Sequence, residues 1–254
     1  MTIMQRTRNY YRKSRISPEH FTCGHKKECQ ADCPKFTGPK EPHIGSKYEL
    51  GHYPRILFLS LDPGLEQNGS YKRTAPEVRK WAEACIVEKC PKGSHWYVTH
   101  EMAIELLKAY KPGLSLNNVA PYFAHSNAAK CCQNKVHRKQ ADAKLFRNCS
   151  DYIGGELEIL QPNVLVTQGM KAFEAVKHAI GDETISSLSP LTWPAAKKGT
   201  YGVLEIGGRK VLWFATLHPK ARKGMFQRQR KLFWKKWSVV IGRRGLILTK
   251  ATRN

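Results

Sequence analysis

Acid is what this sequence has least of. Its 254 residues carry 20 Asp+Glu against 43 Lys+Arg, a formal net charge of +23. After Glu205 there is no acidic residue, while Lys and Arg number 14. So one-sided an excess marks a polyanionic partner, nucleic acid first among them, rather than a merely solvated helix face. Long apolar runs are also missing, and none approaches the length of a membrane span. The N-terminus lacks the apolar stretch of a secretory signal, so an intracellular setting is expected and disulfides are disfavoured. The 8 cysteines then read as metal ligands or free thiols. No Gly-x-Ser-x-Gly elbow is present, which counts against an α/β-hydrolase acting on a small ester. No internal repeat is visible.

What is present is enough for one globular domain. Hydrophobic residues make up 41%, too many for a disordered chain. Residues 1–20 read as a basic N-terminal arm. Residues 21–245 read as a single domain, whose first part, 21–50, is a Cys-, Gly-, Pro- and Lys-rich extension; 246–254 read as a basic tail. Four apolar stretches are strand candidates: 55–61, 115–120, 163–168 and 210–217. Helical patterns lie near 76–90, 97–110, 138–160, 170–180 and 225–240. In the last helix Phe226, Phe233, Trp234 and Trp237 form one apolar face. Residues 182–202 read as a surface excursion. Strands alternating with helices predict a three-layer α/β/α sandwich around a central four-stranded parallel sheet.

Ligands of such sheets bind beyond the carboxyl ends of the strands. The first strand runs through "RILFLSLDPG" and stops at Asp62-Pro63-Gly64; Pro-Gly explains a turn but not the acid. The second stops near Asn117-Asn118, the third at Gln168-Gly169 and the fourth at His218-Pro219. An isolated histidine or asparagine after a strand is usually a packing residue or a cap. Two polar-Pro pairs, ending the first and last strands of one sheet, point to a site.

At these residues the chain resembles the uracil-DNA glycosylase superfamily, over about residues 23 to 225. "LSLDPG" resembles the water-activating first motif, and "LNNV" the strand carrying the base-reading asparagine. "CSDYIGGELEILQPNVLVTQG" resembles the helix-plus-strand block of the iron–sulfur branch. "TLHPKARKG" resembles the His-Pro motif and the loop that enters the DNA minor groove. The resemblance implies hydrolysis of the N-glycosidic bond of a flipped-out base, through an oxocarbenium-like transition state. Asp62 takes the role of the catalytic carboxylate and His218 that of the donor to the departing base. Asn118 becomes the base reader, with Asn117 as fallback. Tyr71 falls where the family places its stacking aromatic, and a plain loop tyrosine is the equal alternative. Pro219, Lys220, Arg222, Lys223, Gly224 and Met225 become the DNA-gripping loop, with Arg222 or Met225 filling the vacated stack. The iron–sulfur branch carries a Glu where this chain has Leu61. The acid stands one place on, as in ordinary uracil glycosylases.

The same branch binds a [4Fe–4S] cluster through four cysteines. The resemblance implies Cys29, Cys33, Cys132 and Cys149, with Cys23 and Cys131 as competitors; zinc would accept the same set. Cys85 and Cys90 read as unligated thiols. His137 precedes Cys149, as does a histidine that one further branch links covalently to abasic DNA. The expected protein is a monomeric DNA glycosylase for uracil or a modified pyrimidine, cytoplasmic and nucleoid-associated in a bacterium or archaeon. Two alternatives are an anti-phage glycosylase excising hypermodified (for instance glucosylated hydroxymethyl) cytosine and a non-catalytic nucleic-acid-binding protein.

Overall fold

A computed structural model describes residues 1–20, 22–31, 36–64, 74–133, 141–181, 185–187, 201–220 and 224–244. Its helices are α1 (Ile3–Lys13), α2 (Lys26–Gln30), α3 (Ala75–Ala84), α4 (His95–Leu107), α5 (Ala143–Leu160), α6 (Met170–Ile180) and α7 (Gly224–Arg244). Its strands are β1 (Phe36–Thr37), β2 (His43–Ile44), β3 (Ile56–Ser60), β4 (Phe123–Asn127), β5 (Cys132–Gln133), β6 (Val164–Gln168), β7 (Ile185–Ser187), β8 (Gly202–Ile206) and β9 (Arg209–Thr216).

Seven strands form one sheet in the order β2-β4-β3-β6-β9-β8-β7. The inner four, β4, β3, β6 and β9, run parallel. Antiparallel strands extend both edges. The expected parallel centre is there, and the edges enlarge it. All five residues of β3 are buried, as an apolar strand covered on both faces must be. Alternation along it feeds two cores. Leu57 and Leu59 join Leu165 and Trp213 under α5 and α6. Ile56 and Phe58 join Val166, Leu212 and Phe214 under α4 and α7. Phe233, Trp234 and Trp237 are buried, and Trp237 stacks on Phe214 at 4.7 Å.

One expectation is corrected. Residues 115–120 are not a strand: they form a turn that leads into a short 3-10 helix, Ala120–Tyr122, and the second parallel strand is β4. Its sequence, Phe-Ala-His-Ser-Asn, is a poor apolar pattern because it half-buries His125 and buries Ser126 through hydrogen bonds. The basic arm contains a helix. α1 starts with a capping box, Thr2 and Gln5 exchanging side-chain hydrogen bonds with backbone N–H groups, and buries Ile3, Thr7 and Tyr11 along one stripe. It lies so close to α5 that a Cβ on Gly155 would come within 2.4 Å of the Tyr10 ring.

A buried ion pair fastens this helix to the sheet. Lys130 Nζ lies 2.6 Å from Glu156 Oε2, both side chains 2% exposed. Ser126 donates to the same oxygen at 2.9 Å, and Tyr11 donates its hydroxyl to the other. The polar rim itself is set where β6 turns into α6. Gly169 has φ 111°, and a Cβ there would strike the Leu61 side chain at 2.7 Å. The basic tail 246–254 and most of 182–200 lie outside the described residues.

Candidate active site

The four parallel strands end together. Ser60 closes β3 and is the register partner of Asn127, the last residue of β4. Gln168 closes β6 opposite Thr216, the last of β9. Asp62 and His218 each lie two residues past a strand end.

The Asp-Pro-Gly sequence explains itself here. Gly64, at φ 80°, turns its N–H back to donate to Asp62 Oδ1 at 2.7 Å. The Ala141 N–H donates to Oδ2 at 3.0 Å. The turn therefore serves to aim the acid, and each carboxylate oxygen is fixed by a backbone donor with a lone pair to spare. His218 lies close enough to feel that carboxylate. Burial pushes its imidazole down to about 4, Lys220 adds to the fall, and Asp62 opposes it. The ring is therefore neutral near pH 7. The Lys220 N–H donates to His218 Nδ1 at 3.2 Å, so Nδ1 is the acceptor and Nε2 carries the proton.

Beneath them sits a polar cluster that the sequence reading did not find. Ser60 Oγ lies 2.8 Å from Nε2 of both His95 and His125 and donates to Gln168 Oε1 at 2.6 Å. The ring of His95 stacks on His218 with centroids 5.2 Å apart and 27° between planes. His43 and His100 flank Trp96 nearby. Burial lowers the pKa of His43, His100 and His125, with His100 at about 4.

Asn117 and Asn118 do not reach the rim. Both are exposed; Asn117 Oδ1 accepts from Glu88 N at 3.4 Å and Asn118 Oδ1 from Ser115 N at 2.7 Å. They are turn caps, and their place at the strand end is taken by half-buried Asn127. Its side-chain amide makes no hydrogen bond among the described residues. The "SN" that ends "FAHSN" was the available signal. Pro219 is buried and Lys220 exposed. Gly224 opens α7, and Met225 follows it on the helix. Tyr71, His137, Arg222 and Lys223 lie outside the described residues. The exposed face of α7 carries Lys231, Lys235, Lys236 and Arg243.

The cysteines converge elsewhere, on the far face of β4. Cys23, Cys29, Cys131 and Cys149 line one pocket with His25, Lys26, Leu145 and Asn148. Cys132 does not line it: it sits in β5, where it is the register partner of Thr37. Cys131, just before that strand, lines the pocket instead. Cys33 lies outside the described residues. Asn148 Nδ2 points at Cys29 Sγ at 3.4 Å, and the Lys130 N–H at Cys149 Sγ at 3.3 Å. Burial raises the thiol of Cys149 to about 12 and lifts those of Cys29 and Cys131 as well. Four thiols with N–H donors aimed at two of them suit a cluster of thiolate-bound irons. Among the described residues, no three His, Cys, Asp or Glu side chains close around one position for a single metal ion. Cys85 and Cys90 lie against each other, Sγ to Sγ 3.6 Å.

Among the described residues no helix is long and apolar enough to cross a membrane. The family model of the Uracil DNA glycosylase superfamily matches residues 50–240, well over half of the chain. The matched span holds Asp62, Asn127, Gln168 and His218 and begins after Cys23 and Cys29. A search of curated proteins finds no match.

Proposed function

Because the chain belongs to the uracil DNA glycosylase superfamily, we propose that it hydrolyses the N-glycosidic bond of uracil or a modified pyrimidine flipped out of DNA. Cleavage leaves an abasic site. As the bond breaks, the sugar gains oxocarbenium character and the base leaves as an anion. The Asp62 carboxylate, held by the Gly64 and Ala141 N–H groups, supports the cation and orients the attacking water. His218 donates Nε2–H to the oxygen of the departing base, where negative charge builds. The half-buried amide of Asn127, without a hydrogen bond among the described residues, reads the base edge. The exposed basic face of α7 lies along the phosphates.

One observation carries this reading: the Lys220 N–H bound to His218 Nδ1. It leaves a neutral ring with its proton on Nε2, a donor ready for a leaving anion. The test is base release, followed by mass spectrometry, from DNAs containing uracil, hypoxanthine, hydroxymethylcytosine or glucosylated hydroxymethylcytosine. Release from at least one, lost in Asp62→Asn, supports the reading and names the base. Silence across the set, with tight salt-sensitive binding, means a nucleic-acid-binding protein without catalysis.

For the cysteine pocket we propose a [4Fe–4S] cluster held by Cys23, Cys29, Cys131 and Cys149, supported by the shared pocket and the N–H donors. When bound it cross-links the N-terminal segment to β4 and α5 and takes no part at the sugar.

A further inference from the structure

The protons around Ser60 can be counted. A serine hydroxyl has one to give. Ser60 sends it to Gln168 Oε1 at 2.6 Å. The amide of Gln168 is oriented by its other end, Nε2 donating to Thr99 Oγ1 at 3.2 Å. Thr99 can accept because its own proton goes to the His95 carbonyl at 2.9 Å. With its proton spent, Ser60 Oγ can only accept from the two imidazoles, each 2.8 Å away. Gln168 Oε1, which can only accept, also lies 3.1 Å from His95 Nε2, so His95 carries its proton on Nε2; with the Ser60 proton on Gln168, His125 does the same. The chain of donors runs from the His95 ring through Ser60, Gln168 and Thr99 back to the His95 backbone. It is a closed ring that locks one side chain by the last residue of β3, the last of β6 and the first turn of α4. Ser60, Thr99 and Gln168 are all buried. A polar ring of this kind costs desolvation, and a histidine that merely filled space would not need it.

What the locked ring does is stack on His218, 5.2 Å away and nearly parallel. We propose that His95 is the positioning residue for His218: its fixed imidazole holds the His218 ring in plane and covers one face from water, so that Nε2–H points at the departing base. This rests on the glycosylase reading for its consequence, though not for its geometry. His95 touches no reacting atom. Among the described residues three groups face His218: Asp62 from the end of β3, Lys220 from its own segment and His95 from α4.

The test uses the full chain in two measurements. Side-chain nitrogen NMR without DNA should find His218, His95 and His125 protonated on Nε2, and His218 titrating well below an ordinary histidine. In His95→Ala the His218 midpoint should rise by a unit or more, because water reaches the exposed face. In His95→Phe, which keeps a flat ring, it should stay low. Single-turnover cleavage should fall about tenfold in His95→Ala with KM unchanged and the acid limb of the rate profile moved up. His95→Phe should recover most of the rate. A His218 midpoint and a rate both indifferent to His95→Ala overturn the proposal, as does a loss that His95→Phe repairs in neither measurement. If His95→Ala fails to fold, Ser60→Ala frees the His95 ring without removing it and should shift the same midpoint. Wild-type protein silent on every DNA, with the midpoint still dependent on His95, strikes the glycosylase reading and upholds the coupling of the rings.

Discussion

Ser60 and Asn127 are register partners on the last rung between β3 and β4. One rung thus holds the serine that anchors the histidine cluster and the amide proposed to read the base. Asp62 follows two residues on. Asn127→Ala should lower kcat/KM by about 10- to 100-fold, the worth of one or two lost hydrogen bonds to a base. Asn117→Ala and Asn118→Ala should stay within about twofold, since both cap turns. Steady-state cleavage of one oligonucleotide by the three variants checks this.

Cys131 and Cys132 are neighbours with different surroundings. Cys131→Ser, made and purified without oxygen, should lose the broad visible absorption of a [4Fe–4S] centre and its iron. Cys132→Ser should keep both. Iron content and absorption of the two proteins settle the choice. Equal loss in both would contradict the assignment of the pocket.

The Lys130–Glu156 pair is almost wholly buried. Glu156→Gln leaves an ammonium without its counter-charge and should cost about 3–5 kcal/mol in urea denaturation. A combined Lys130→Met and Glu156→Leu change should recover much of that, because no charge is then stranded. Tyr11→Phe should cost less, about 1 kcal/mol, and loosen α1 before the rest.

The histidine cluster sets an acid limit on stability. His43, His100, His125 and His218 all have lowered pKa values in the folded chain, His100 and His218 at about 4. Between the unfolded value, about 6.5, and these folded values, the unfolded chain binds protons that the folded chain refuses. Stability should therefore be level above pH 6.5 and fall steadily from there toward pH 4. Urea midpoints between pH 4 and pH 8 measure it. A midpoint unchanged from pH 7 to pH 5 would contradict the burial of these rings.

The sequence exposed the parallel centre because β3, β6 and β9 are apolar on both faces and end in marked residues. Asp62 and His218 were legible for that reason. β4 was not: it hides polar side chains behind hydrogen bonds, so its pattern reads as loop, and the apolar "LSLNNVA" before it drew the eye. That reading placed a strand end at Asn118 where the structure has Asn127. Cys131, not Cys132, lines the cysteine pocket, because Cys132 is taken up in the two-residue strand β5 and Cys131 precedes it. The Ser60–His95–Gln168 ring joins residues far apart in the chain, and no spacing announces it.

The account turns on Asp62 and His218 acting on a glycosidic bond. The most direct measurement is single-turnover release of free base from an oligonucleotide with one deoxyuridine, by wild type, Asp62→Asn and His218→Ala. Wild type should yield free uracil and an abasic strand, with each variant slower by at least about 100-fold. Release at the wild-type rate by either variant would contradict it.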